Sequence, residues 1–235
     1  MKTFAILLAA GCGSRFGGNE NKIFQKIGDR TMLERSAACL LDHPDVSGLV
    51  VVAEKSERER VEVILAREFK GRSVYVISGG ASRQESALAG LVGVRDFSVS
   101  KCGVDRIAVL IHDAARCFLP QSIVSEVIET IRNERCGVAP AIAVTDTVRL
   151  LDETCAVIVE TLPRKRLVAM QTPQGADLDV LLEAAVSADE GGTEVTDDLE
   201  LLIRVGYPVK LIEGSPRNIK ITTPDDVLAA GCLSR

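Results

Sequence analysis

The chain has 235 residues, 46% of them apolar, and a net charge of -5 from 28 Lys and Arg against 33 Asp and Glu. That is enough apolar material for a sizeable core, in one large domain or two small ones. Both signs of charge are spread along the chain, which leaves no basic patch for bulk nucleic-acid binding, and no apolar run approaches the roughly 20 residues of a membrane helix.

Aromatic residues make up only 3% and Trp is absent. A core of Ala, Val, Ile and Leu suits an α/β sheet. The seven cysteines show no C-x-x-C spacing, and reduced thiols in the cytosol are expected. With two histidines, His43 and His112, a His-based metal site or catalytic triad is not expected.

In chain order, Phe4 to Leu8 is an unbroken apolar run, the pattern of a strand buried on both faces. It leads into Leu8-Ala9-Ala10-Gly11-Cys12-Gly13-Ser14-Arg15-Phe16-Gly17-Gly18, with Lys22 just beyond. Small residues let backbone N–H groups approach a phosphate, and Arg15 and Lys22 add two cations. Such a set suits a reaction in which negative charge builds on phosphorus. The loop does not read G-x-x-x-x-G-K-[ST] in any register, so it is not a Walker loop. Phe16 stands where a dinucleotide fingerprint needs its third glycine, which argues against an NAD enzyme. The segment is also too weakly charged and too short to be a secretory signal.

Thr31 and Glu34 have the spacing of a capping box, which predicts a helix to about Leu41, ending near His43-Pro44 with His43 at the surface. Leu49 to Ala53 is the second strand. Ser56 is the expected cap of a helix whose Val61, Ile64, Leu65 and Phe69 share a face. Val74 to Ile77 is the third strand, followed by the glycine turn Ser78-Gly79-Gly80-Ala81-Ser82 and a helix from Glu85 to about Val94. That turn lies at a strand's carboxyl end, where open α/β sheets bind ligands.

Ile107 to Ile111 is the fourth strand, tipped by His112-Asp113-Ala114-Ala115-Arg116. Asp113 there suits a metal ion or a ribose hydroxyl, or a cap on the next turn. Arg116 suits a phosphate or Asp113 itself, and His112 an orienting hydrogen bond rather than a base. Ile123 to Ile131 is a helix and Gly137 to Val144 a strand. Two β-rich stretches between Thr145 and Leu162, around Asp152-Glu153-Thr154, read as a hairpin. A two-stranded hairpin is poorly stable alone, so a second subunit is expected to cover it.

The basic turn Arg164-Lys165-Arg166 and the stretch Thr172-Pro173-Gln174 follow. Leu178 to Val186 is a helix, and Thr196-Asp197-Asp198 caps another, from Leu199 to about Val205, closed by Gly206. Val209 to Ile212 and Asn218 to Ile221 read as strands. Lys220 in the latter would need a partner such as an anionic ligand. Thr223-Pro224-Asp225-Asp226 begins the last helix. With no repeat or linker, one domain spanning residues 1–235 with a projecting hairpin is expected.

The ordered set L-A-A-G-x-G-S-R…K, G-G-x-x-R-x-x-S, H-D-A-A-R, T-P-Q, T-D-D and N-I-K-I-T resembles the 2-C-methyl-D-erythritol 4-phosphate cytidylyltransferases from Leu8 to Asp226. The resemblance implies a single Rossmann-like, mostly parallel α/β sheet of the glycosyltransferase-A-like nucleotidyltransferase kind. It implies transfer of CMP from CTP to 2-C-methyl-D-erythritol 4-phosphate, with Mg2+ and release of pyrophosphate. Arg15 and Lys22 would stabilise the transition state. Ala9, Ala10, Gly11, Gly13, Gly80, Arg83, Ser86, Asp113 and Ala114 would hold CTP, Asp113 also lying beside the metal. Arg116, Thr147, Arg164, Thr172, Thr196 and Lys220 would hold the polyol phosphate. The hairpin, about 145–162, would cross to a partner in a cytoplasmic homodimer, so that Thr147 and Arg164 serve the neighbour's site. Leu8, Ile23 and Ala81 depart from the family's usual Pro, Gln and Asp. A ribitol 5-phosphate cytidylyltransferase and a catalytically silent nucleotide-binding domain are the alternatives.

Overall fold

The computed structural model describes residues 1–11, 21–101 and 106–233. The chain runs through β1 (Lys2–Ala9), the short strands β2 (Lys26–Ile27) and β3 (Arg30–Thr31), α1 (Met32–Leu41), β4 (Val46–Ala53), α2 (Arg58–Glu68), β5 (Val74–Ser78), α3 (Arg83–Lys101) and β6 (Ile107–Asp113). Then come α4 (Gln121–Glu134), β7 (Gly137–Ala143), β8 (Arg149–Leu151), β9 (Ile158–Thr161), β10 (Val168–Met170), β11 (Gln174–Asp177), α5 (Leu178–Glu190), α6 (Asp198–Arg204), β12 (Val209–Glu213) and α7 (Pro224–Leu233).

Strand β1 lies inside an eight-stranded sheet of order β10-β7-β11-β6-β1-β4-β5, with β12 also paired to β7. It pairs in parallel with β4 and β6, and β4 with β5. Alternate residues of β1 serve two cores, which explains the unbroken apolar run. Ala5, Leu7 and Ala9 pack with side chains of α1, α2 and α4. Phe4 and Ile6 pack on the other face with side chains of α3, α5 and α6. Gly90 lets α3 come close, since a Cβ there would stand 2.5 Å from Ile6 Cγ2.

The capping box forms as expected: Thr31 Oγ1 accepts from Glu34 N, and Glu34 Oε2 accepts from Thr31 N. Four local expectations are corrected. Ser56 does not cap α2; it sits in a 3-10 turn, Lys55–Glu57, capped by Glu54. His43 is not at the surface but only 5% exposed, because the turn after α1 tucks beside α4. Its Nε2 lies 2.9 Å from Ser125 Oγ, and its Nδ1 accepts from Asp45 N. Residues 218–221 form no strand. Asn218 Nδ2 donates to Thr172 O, Arg116 Nη1 to Asn218 O and Ile221 N to Ala115 O, so side chains and isolated main-chain bonds rather than a ladder hold that segment. Lys220 is accordingly no buried strand residue; its side chain is 42% exposed. The structure also adds a strand that no sequence pattern announces, β11. It runs antiparallel between β6 and β7.

The hairpin forms from β8 and β9, which among the described residues pair only with each other. Asp152 Oδ1 accepts from Ala156 N and Val157 N and closes its turn. Leu150, Leu151, Val157, Ile158 and Val159 are exposed on it.

Candidate active site

The carboxyl ends of β1, β5 and β6 meet at one rim, around a pocket of about 370 Å³. Leu8 to Gly11 form one wall, Gly80 to Arg83 a second and Asp113 to Ala115 a third. Ser86 also lines it, and Lys22 and Lys220 reach in from outside the sheet. The structure thus brings Ala9, Ala10, Gly11, Lys22, Gly80, Arg83, Ser86, Asp113, Ala114 and Lys220 to one pocket. Gly13 and Arg15 lie outside the described residues.

The glycine turn is built by its own helix. Ser82 Oγ accepts from Glu85 N, and Glu85 Oε2 accepts from Ala81 N. Ser86 Oγ donates to Ser82 O and accepts from Gly80 N. A Cβ on Gly79 would stand 2.7 Å from both Ala10 Cβ and Ser86 Oγ, so only glycine brings the turn this near β1. Ser86 therefore shapes the wall through its hydroxyl.

Asp113 is the electrostatic centre. Lys220 Nζ is 2.7 Å from its Oδ2, Arg83 Nε 3.7 Å from Oδ1 and Arg116 Nε 3.9 Å from Oδ2. Burial works against the charged carboxylate, but Lys220 and Arg83 outweigh it and hold its pKa below the ordinary value. Arg83 also makes a two-pronged bond to Asp198, at 3.0 and 2.6 Å. Burial opposes the charge on Arg83, yet Asp198, with help from Asp113, keeps its pKa above normal. Arg83 is thus a clamp from α3 to α6.

Beyond Arg83, Asp113 and Lys220 lies a second recess of about 290 Å³, reached by Arg116, Thr172, Gln174, Thr196 and Asp197. Arg116 spans backbone carbonyls, Nη1 on Asn218 O at 2.7 Å and Nη2 on Met170 O at 3.3 Å. The motifs T-P-Q and T-D-D are visible in the sequence, but they single out their threonines and not Gln174, Asp197 or Asp198. Thr147 and Arg164 stand exposed at the base of the hairpin, outside both recesses, with Arg164 Nη1 on Thr145 O at 2.5 Å.

His112 is hydrogen-bonded through both ring nitrogens. It is fully buried, and burial pushes its pKa down to about 4. A neutral ring with its proton on Nε2 satisfies the contacts: Nε2 donates to Arg116 O at 3.0 Å, and Thr172 Oγ1 donates to Nδ1 at 2.9 Å. Thr172 Oγ1 in turn accepts from Asp113 N. Between about pH 4 and 6.5 the unfolded chain binds a proton here that the folded chain refuses. Stability from this group is therefore complete above pH 6.5 and lost as pH falls toward 4, by on the order of 3 kcal/mol. Urea unfolding at about pH 7.5 and about pH 4.5 should show that loss, and His112→Asn should reduce the slope.

No group of three or more His, Cys, Asp or Glu side chains is placed to hold a metal among the described residues. One ionised carboxylate between two recesses nevertheless fits Mg2+, which is commonly held by one or two carboxylates, water and substrate phosphates.

The sequence profile of the 2-C-methyl-D-erythritol 4-phosphate cytidylyltransferases (IspD) matches residues 3–235. The chain belongs to this family. The enzyme of that name from Prochlorococcus marinus (strain NATL2A) is 36% identical over 228 residues, covering 97% of this chain and 96% of the relative. The "Bifunctional enzyme IspD/IspF" of Nitratidesulfovibrio vulgaris (strain DP4) is also 36% identical, and this chain spans 57% of its length. The crystal structure of the family's enzyme from Thermus thermophilus superposes with a TM-score of 0.77 at 29% identity, covering 100% of both chains. The Rossmann-like α/β fold, with its largely parallel core and antiparallel additions, is the family's.

Proposed function

We infer that this chain transfers CMP from CTP to 2-C-methyl-D-erythritol 4-phosphate, making 4-diphosphocytidyl-2-C-methyl-D-erythritol and pyrophosphate for isoprenoid precursor synthesis. The observation that carries the reading is the pair of adjoining recesses. They share Arg83, Asp113 and Lys220, with Lys22 on the wall of the larger. CTP takes the larger recess along Ala9 to Gly11, Gly80 and Ala114. The polyol phosphate takes the smaller, by Arg116, Thr172 and Thr196.

A phosphate oxygen of the acceptor attacks the α-phosphorus of CTP; that P–O bond forms as the bond to the bridging oxygen of the leaving pyrophosphate breaks. The acceptor's second pKa is about 6, so it needs no strong base near neutrality. That agrees with His112, whose two nitrogens are both engaged and whose pKa is low. The obstacle is bringing two anions together, and Lys22, Lys220 and Arg15 are assigned to offset it. Mg2+ bound by Asp113 and the triphosphate would neutralise charge at the transferring phosphorus.

The hairpin's exposed apolar residues support a homodimer in which the arm of one protomer reaches the other's site, carrying Thr147 and Arg164. No helix among the described residues is long and apolar enough to cross a membrane, and the five described cysteines are unpaired, which suits the cytosol.

The test is pyrophosphate release. CTP with 2-C-methyl-D-erythritol 4-phosphate and Mg2+ should turn over, ribitol 5-phosphate should be a far poorer acceptor, and light scattering should give twice the chain mass. Preference for ribitol 5-phosphate would reassign the acceptor, and silence with every acceptor would leave a nucleotide-binding domain.

A further inference from the structure

Gln174 opens β11 and is 2% exposed. Its Oε1 accepts two main-chain hydrogen bonds, from Asp198 N at 2.8 Å and Leu199 N at 3.1 Å. Both partners are donors, so the oxygen must face them and the two ends of the amide cannot be exchanged. The amide nitrogen is thereby directed away from α6, and Gln174 lines the smaller recess. No acceptor among the described residues meets Nε2. The little surface that Gln174 keeps opens on the recess, so a group bound there can accept from Nε2.

The neighbouring groups say which kind. Asp197 lines the same recess and caps α6, with its Oδ1 accepting from Glu200 N. Arg83, Arg116 and Lys220 line the recess too and suit the acceptor's phosphate, whereas the Asp197 carboxylate suits a hydroxyl. A hydroxyl can accept from Gln174 and donate to Asp197 together, and a donor beside an acceptor is what a polyol chain requires. We propose that Gln174 Nε2, with the Asp197 carboxylate, binds one hydroxyl of the acceptor's carbon chain and selects for it. The proposal rests on the cytidylyl-transfer reading above. It makes Gln174 a specificity-determining residue, while its Oε1 holds α6 in place.

Gln174→Glu separates these two tasks. The carboxylate keeps an oxygen for Asp198 N and Leu199 N but loses the donor into the recess. The KM for 2-C-methyl-D-erythritol 4-phosphate should rise at least about 10-fold, with the KM for CTP within about twofold, while Tm falls because the new carboxylate is buried. Monodeoxy analogues of the acceptor supply a readout that scaffolding alone would not move. In the wild type, one analogue should show a raised KM; in Gln174→Glu, removing that same hydroxyl should add nothing. An unchanged acceptor KM, a parallel rise in both KM values, or the same analogue penalty in both proteins would overturn the proposal. If Gln174→Glu does not fold, the wild-type series decides: equal KM for all analogues and the parent overturns it. Wild-type protein that releases no pyrophosphate removes the cytidylyl-transfer reading itself, a result distinct from any failure of the variant.

Discussion

Lys22→Met should lower kcat by about 10²–10³ while leaving Tm nearly unchanged, the usual loss when one charge donor to a transition state is removed. Lys22 begins a short 3-10 turn, Lys22–Phe24, whose cap is Asn21: its Oδ1 accepts from Ile23 N, and its Nδ2 donates to Glu57 at 2.7 Å. The ammonium group reaches Ile221 O at 3.0 Å, across from Lys220. The turn therefore holds one cation on the pocket wall, and a segment near the far end of the chain brings the second. Methionine keeps the stem and removes the charge together with the hydrogen bond to Ile221 O. Steady-state pyrophosphate release at saturating CTP and acceptor, paired with thermal unfolding, makes the check. Turnover near the wild-type rate would end the assignment of Lys22 to the transition state.

The second large effect is structural. Arg83→Met should destabilise the protein by about 3–5 kcal/mol, because it strands a charge that is almost wholly buried. The Asp198 side chain is 3% exposed and is answered by the Arg83 fork at 2.6 and 3.0 Å. Burial already pushes the Asp198 pKa up, with Arg83 pulling against it. Without the arginine the folded-state pKa would lie further above the unfolded one. The variant should then lose further stability as pH rises from about 5 to 8, the reverse of the His112 effect. Replacing both members with Met and Leu should recover most of the loss, since the cost lies in leaving one ion alone. Urea unfolding of the two variants at both pH values decides the matter. A loss under about 1 kcal/mol in Arg83→Met would show that the pair does not brace α3 against α6.

The pair also shows where reading the chain as a string stops. Arg83 and Asp198 are 115 residues apart, and neither lies in a periodic pattern that points to the other. Arg83 is legible as part of a glycine turn and Asp198 as part of a helix cap. That each completes the other requires both to be in place. Gln174 is a similar case, since the donors that orient it belong to a helix 24 residues later.

What can be read directly is whatever depends on near neighbours in the chain. An uninterrupted apolar run makes β1 a strand covered on both faces, Thr31 and Glu34 make a helix start, and Asp152 makes a hairpin turn, because each acts within a few residues of itself. The family motifs, taken in order, carry the fold and chemistry further. Folding alone decided that Gln174–Asp177 would insert antiparallel beside β6, that residues 218–221 would be held by side chains and isolated main-chain bonds instead of a ladder, and that His43 would lie under α4. Those outcomes rest on hydrogen bonds and ion pairs between distant segments. Such bonds gain their strength from burial in the assembled protein, and burial of that kind leaves no period in the string of residues.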